Sequence, residues 1–289
     1  MFEEFQSHVI DVEGASIHLR VGGSGPALLL LHGYPQSHAM WHQMAPELAK
    51  SYRVIVADLR GYGASVCHNE DFTFRAMAGD MLAVMSALGE ERFDLIGHDR
   101  GARVSHRMVL DAPDRLRSVA ILDILPTLDV WRLMDAELAK RYYHWGFLAQ
   151  PGDMPQRLIN SDPVFYLRNA LGALSGQIEM FHPEALSDYE AAARRPEVVR
   201  AWCGDYRAGA YDDLDIDRAD LGRQVDLPGL VLWGTRGVVD LHEDPVTLWQ
   251  NWFPQARGQG IEAGHFLVEE CPDEVLPLLR AHLDAVSRV

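Results

Sequence analysis

Phe93-Asp94-Leu95-Ile96-Gly97-His98-Asp99-Arg100-Gly101 is a short apolar run that ends in a small-x-acid-x-small turn, and residues 101–111 beyond it have a helix-like pattern. Glycines on both sides of Asp99 allow a strand-to-helix turn too tight for most residues, which leaves the central side chain exposed above the sheet. A carboxylate at that apex has restricted chemistry. Attack on a carbonyl would give only an anhydride, whereas attack on an sp³ carbon gives an ordinary ester that water can hydrolyse. The turn therefore points to displacement at saturated carbon, with a halide or an epoxide oxygen leaving.

Working outward, residues 5–21 read as two short strands joined at Gly14, and Ala27–Leu31 and Arg53–Ala57 are apolar runs of the kind buried on both faces of a parallel sheet. Residues 73–88 show helical periodicity and stop at Gly89. Val119-Ala120-Ile121-Leu122 reads as a strand ending at Asp123, Gly229–Gly234 as another, and residues 258–262 as a short one. Helices are expected through Trp249 to Trp252 and over 272–286. Alternating strands and helices imply an α/β fold with a mostly parallel sheet. Residues 126–219 differ: strand runs vanish, and Trp, Tyr, His and Arg crowd helix-like stretches broken by Pro and Gly. The expected organisation is a core over 1–125 and 220–289 with a helical cap over 126–219.

The chain of 289 residues is 48% hydrophobic, enough for a large core, and carries a net charge of −16. That charge argues against nucleic acid or an anionic membrane as partner, and an anionic substrate would need a local cationic cluster. Cys67, Cys203 and Cys271 are odd in number and widely spaced, so neither a disulfide framework nor a zinc site is indicated. The first residues, Met-Phe-Glu-Glu-Phe, lack a basic and an apolar signal region, and no run approaches a membrane span. A soluble cytoplasmic protein is expected.

The turn at Asp99 is similar to the nucleophile elbow of the α/β-hydrolases, with aspartate where lipases and esterases carry serine. In that chain order, nucleophile then acid then histidine, the late His265 of Ala263-Gly264-His265-Phe266 is the expected base; its plain alternative is a loop histidine at a helix start. The acid usually follows the strand that is Val231-Leu232-Trp233 here, but that loop reads Gly234-Thr235-Arg236-Gly237. Asp123, at the end of the strand after the elbow helix, can reach the same histidine and is preferred over Asp240. Backbone amides of Tyr34 and Arg100 are the expected oxyanion hole. Arg100 and Arg103, three apart at the start of the nucleophile helix, share a face and can grip a carboxylate at two points. Their charge opposes the helix dipole at a cost of roughly 0.3–1 kcal/mol, which calls for a use. Arg107 reads as an ordinary surface charge paired with Asp111.

Gly97-His98-Asp99-Arg100-Gly101-Ala102-Arg103, Asp123, Tyr143-His144-Trp145-Gly146, Asp205-Tyr206-Arg207-Ala208 and Gly264-His265-Phe266 together resemble the fluoroacetate (haloacetate) dehalogenases. The resemblance runs from His32-Gly33-Tyr34-Pro35 to the last helix. It implies that Asp99 is the nucleophile, that Asp123 and His265 activate water, and that Arg100 and Arg103 bind the carboxylate of a small haloacid. It further implies that His144, Trp145 and Tyr206 form a halide pocket of three neutral donors. No metal or organic cofactor, and a homodimer, are implied with it. Leu174 falls where family members often carry an aromatic residue, and a smaller side chain there would suit chlorinated or longer 2-haloacids. An epoxide hydrolase is the competing enzyme reading. It would need two cap tyrosines, of which only Tyr206 has a clear place.

Overall fold

The computed structural model describes residues 1–286, so the last three residues of the expected core segment 220–289 lie outside the described residues. Nine strands form one sheet: β1 (Gln6–Val12), β2 (Ala15–Gly22), β3 (Ala27–Leu31), β4 (Arg53–Ala57), β5 (Val66–Cys67), β6 (Phe93–His98), β7 (Leu116–Leu122), β8 (Gly229–Gly234) and β9 (Arg257–Ile261). Their order is β1-β2-β4-β3-β6-β7-β8-β9, with β5 pairing β2. The β1–β2 hairpin is antiparallel and β2 runs antiparallel to β4, while β3, β4, β6, β7, β8 and β9 are mutually parallel.

Helices α1 (Met44–Leu48), α2 (Phe74–Ala87), α3 (Arg100–Asp111), α12 (Pro245–Gln250), α13 (Leu267–Glu270) and α14 (Pro272–Val286) belong to the strand connections and the chain end. With helices on it, the centre of the parallel sheet is buried on both faces: every residue of β3, β6 and β8 is buried, while the edge strand β9 is exposed from Arg257 to Gln259. Each fully buried leucine of β3 contributes about 1.5–3 kcal/mol. Between β7 and β8 the chain is helical: α4 (Thr127–Arg132), α5 (Ala136–Arg141), α6 (Tyr143–Leu148), α7 (Met154–Ser161), α8 (Pro163–Ser175), α9 (Pro183–Ala193), α10 (Pro196–Ala210) and α11 (Asp212–Ala219). Four of these open on proline within the first turn, at Pro155, Pro163, Pro183 and Pro196, where the missing N–H costs nothing.

Two element boundaries differ from the sequence reading by more than one residue. β7 begins at Leu116 because Arg117 and Ser118, polar as they are, both bind Asp94 on the neighbouring strand, at 2.8 Å for each closest contact. α12 ends at Gln250, short of Trp252. Pro254 disfavours helical backbone at Phe253, and the chain turns there so that Trp252 and Phe253 enter the core. No helix among the described residues is long and apolar enough to cross a membrane.

The insert is tied to the sheet through the loop after β3 and the loop after β4. Tyr34 donates its hydroxyl to Tyr166 of α8 at 3.0 Å, Gln36 binds Tyr189 of α9 at 3.2 Å, and Tyr62 donates to Asp205 of α10 at 2.5 Å. The carboxyl ends of β3, β6, β7 and β9 lie beneath the insert, at the crevice where open parallel sheets place their ligands.

Candidate active site

Asp99 follows β6 directly and has φ 45° and ψ −113°, a backbone conformation that L-residues rarely adopt. The glycines around it are sterically required. A Cβ on Gly97 would stand 2.5 Å from the Gly101 carbonyl oxygen, and one on Gly101 would stand 2.6 Å from that of Leu31. Helix α3 therefore presses against the end of β3 while the Asp99 side chain stands at the turn's apex.

Register brings the second carboxylate alongside. His98 pairs with Leu122 across β6–β7, so Asp99 and Asp123 end adjacent strands, and Asp123 is likewise at positive φ (56°). Asp123 accepts from the Gly234 amide at 2.7 Å through one oxygen and meets His265 Nδ1 at 2.5 Å through the other. His265 Nε2 then faces Asp99 Oδ2 at 3.8 Å. Asp240 lies elsewhere, accepting from the Trp233 indole at 2.9 Å. The loop after β8, where the usual acid is missing, thus supplies a backbone donor to its substitute.

Two further contacts hold the histidine. Its carbonyl accepts from His98 Nε2 at 2.8 Å, and its amide donates to the Leu174 carbonyl at 3.2 Å. Burial pushes the His98 imidazole down to about 3, so it is neutral and keeps its proton on Nε2. Leu174 therefore reaches the site through its backbone, with its side chain half-buried. Sequence reading gave His98 no role, because a buried histidine just before the elbow aspartate has no pattern of its own.

The Tyr34 amide donates to Asp99 Oδ1 at 2.8 Å, which leaves Oδ2 as the oxygen without an amide partner. Burial opposes ionisation of Asp99, but the charges of His265, Arg100 and Arg103 outweigh it and hold the carboxyl near 2. For His265 burial likewise opposes the charge. The hydrogen bond and charge of Asp123, helped by Asp99, win and raise the imidazole above its ordinary value.

Arg100 and Arg103 are both buried next to Asp99 but differ in occupation. Arg100 is clamped by Asp205 of α10: Nε donates to Oδ2 at 2.9 Å, while Nη2 donates to the Asp205 carbonyl at 3.0 Å and to Oδ1. Its guanidinium also lies 4.2 Å from the centroid of the Tyr206 ring and 4.6 Å from that of Phe74. Arg103 binds only neutral oxygens with Nη1, the Leu125 carbonyl at 3.1 Å and Thr127 at 2.9 Å, and its Nε and Nη2 have no hydrogen-bond partner among the described residues. Burial and the charge of Arg100 lower it to about 10. Arg107 is not the surface charge expected from sequence. It is buried, and binds Asp217 and Asp220 of the insert region as well as Asp111, because α11 covers that part of α3.

His144, Trp145 and Tyr206 converge over this floor. Ring centroids of His144 and Tyr206 are 5.6 Å apart, those of Trp145 and Tyr206 6.0 Å, and the Arg103 guanidinium is 4.6 Å from Trp145. None of the three side chains makes a hydrogen bond among the described residues. Burial pushes His144 down to about 3, so its imidazole is neutral beside Asp99. Tyr142, absent from the sequence reading, stacks on Trp145 at 5.5 Å; burial, together with the charges of Asp123 and Asp99, raises its phenol. It lacked a signal because it sits at the boundary between α5 and α6, at the head of a run of ring-bearing side chains.

A buried carboxylate at an elbow, with a histidine–acid pair beside it and unpartnered donors above, defines a hydrolase site. A family model for the alpha/beta hydrolase fold matches residues 26–272, and the chain belongs to the α/β-hydrolase family. More particularly, it is 43% identical to a fluoroacetate dehalogenase of Burkholderia sp, with all of this chain and 97% of that one covered. It is also 30% identical to a soluble epoxide hydrolase of Corynebacterium sp. (strain C12), over 96% of each. A solved structure from Nostoc sp PCC 7120, described as an alpha/beta hydrolase, is 44% identical and superposes with a TM-score of 0.95 over 98% of this chain and 99% of that one.

Proposed function

We propose that this hydrolase of carbon–halide bonds removes halide from a haloacetate, with fluoroacetate as a substrate. The observation that carries the reading is the unpartnered Arg103 fork beside an ionised Asp99, under three neutral donors without partners. Arg103 takes the substrate carboxylate, assisted by whatever Arg100 has left over from Asp205. Asp99 Oδ2 attacks the carbon that carries the halogen; the carbon–oxygen bond forms as the carbon–halogen bond breaks, and the halide departs with the electron pair. Hydrogen bonds from His144, Trp145 and Tyr206 strengthen as charge grows on the leaving atom, which matters most for fluoride.

The second half uses the other face of the same carboxyl group. Oδ1 becomes the ester carbonyl oxygen and already accepts the Tyr34 amide. His265, oriented by Asp123, takes a proton from water as the hydroxide attacks the ester carbonyl carbon of Asp99. As the tetrahedral centre collapses, the bond to the glycolate oxygen breaks and that oxygen takes the proton from His265; glycolate leaves, and the Asp99 carboxyl releases its proton to solvent and is restored as the carboxylate.

Epoxide hydrolysis is a second reading, favoured by one observation. Tyr142 and Tyr206 are both buried within the field of Asp99, and two tyrosines are what protonation of an epoxide oxygen requires. Against it, Arg103 offers a buried cation for which a neutral epoxide has no use. Halide release from fluoro-, chloro- and bromoacetate, run beside diol formation from a small epoxide, separates the two. We expect halide from the haloacetates and little diol; diol formation without halide would overturn the assignment. Intact mass of His265→Asn after haloacetate treatment should show a carboxymethyl adduct on the protein.

A further inference from the structure

We propose that Asp205 sets the charge of the substrate: by occupying Arg100 it leaves the site one uncompensated cation, Arg103, and so restricts it to monoanions. The inference rests on the reading of Arg103 as the carboxylate anchor. Helix α3 carries three buried arginines in a row, and the helices from Pro196 to Ala219 present aspartates to two of them. Arg100 has Asp205, and Arg107 has Asp217, with Asp220 just beyond. Arg103, between them, has no carboxylate partner among the described residues.

Asp205 is itself fully buried and fixed by a third donor, the Tyr62 hydroxyl. Its two oxygens are taken by the Arg100 fork and by Tyr62, so neither is free to bind substrate. Gly209, one turn further along α10, leaves the room that Arg100 needs: a Cβ there would stand 2.9 Å from Nη2. The pair is thus neutral as a unit. A first carboxylate entering the site finds Arg103; a second finds Asp99, already negative, and donors that carry no charge. A desolvated anion without a cation is strongly disfavoured. Asp205 touches Arg100 and not the substrate, so it acts as a positioning residue that determines specificity.

Oxamate and oxalate test this, because they have nearly the same shape and differ by one negative charge at neutral pH. Direct calorimetric binding to the wild-type protein should favour oxamate by more than about tenfold, the scale of an unpaired buried charge. Asp205→Asn keeps the side-chain shape and frees the charge of Arg100, so the preference should narrow by about tenfold or reverse. Tyr62→Phe keeps both charges and removes one hydrogen bond, and should leave the ratio as in wild type. Equal wild-type binding of the two ligands overturns the proposal without any variant having to fold. An unchanged ratio in a folded Asp205→Asn protein, or a Tyr62→Phe ratio that shifts as far as that of Asp205→Asn, also overturns it. Failure of the wild type to bind even oxamate would instead refute the carboxylate anchor itself, and this inference with it.

Discussion

At the level of single residues, two predictions concern the pair His265–Asp123. His265 must be unprotonated to take a proton from water, and its imidazole is raised above the ordinary value of about 6.5 by Asp123. Ester hydrolysis, followed as single-turnover decay of the carboxymethyl adduct, should therefore slow as pH falls, with its midpoint above about 6.5. A midpoint at or below that value would mean that Asp123 does not act on this histidine. Asp123→Asn replaces the accepting carboxylate 2.5 Å from Nδ1, and turnover should fall by about 10²–10⁴-fold. Asp240→Asn, whose partner is an indole, should change turnover only mildly. The opposite ranking would place the acid on the wrong loop. These residues were legible because the elbow, the late histidine and the missing acid after β8 are local patterns. The clamp on Arg100 was not, since Asp205 lies 105 residues away and nothing in Asp205-Tyr206-Arg207 says which neighbour it faces.

Among whole elements, the join between α2 and α11 carries the clearest energetic consequence. Asp213, in the first turn of α11, accepts the Phe74 amide at 3.0 Å and so caps α2 from another helix. Its second oxygen has no partner, and burial pushes its carboxyl up to about 8. The unfolded chain releases that proton near pH 4, the folded one near 8, so the folded state binds the extra proton between them. Stability from this group is therefore full below about pH 4 and declines as pH rises towards 8. Asp213→Asn keeps the shape and the accepting oxygen without the titration. Its melting temperature relative to wild type should climb across that window and level off beyond it, with a gain of about 1–3 kcal/mol at neutral pH. A difference that does not vary with pH would show that Asp213 is ionised in the fold. Strands were the most legible elements, because buried parallel strands are unbroken apolar runs; the exceptions, such as Arg117 and Ser118 in β7, depend on Asp94 across the sheet.

For the molecule as a whole, the acidic balance of −16 and the proposed binding of a small anion are compatible because the charges are segregated. The guanidinium groups of α3 are buried under the insert and matched there one by one, save Arg103. The loss of strand runs after Asp123 was readable in the sequence, but not how the helices there dock, since docking is decided by pairs such as Tyr34–Tyr166 and Gln36–Tyr189 across more than a hundred residues. The contact between Asp123 and His265 spans 142 residues, and the entire helical insert lies inside that span. In polymer terms the insert is slack within a ring that the Asp123–His265 contact closes. Closure entropy grows only with the logarithm of ring size, about 0.6 kcal/mol for each doubling. Shortening or lengthening the insert therefore changes the closure entropy of bringing Asp123 and His265 together very little, provided that the Leu174 carbonyl still meets the His265 amide. A lineage built on this scaffold is free to rewrite the helices above Asp99 while inheriting the Asp123–His265 contact, so long as one backbone carbonyl of the insert keeps its place on His265.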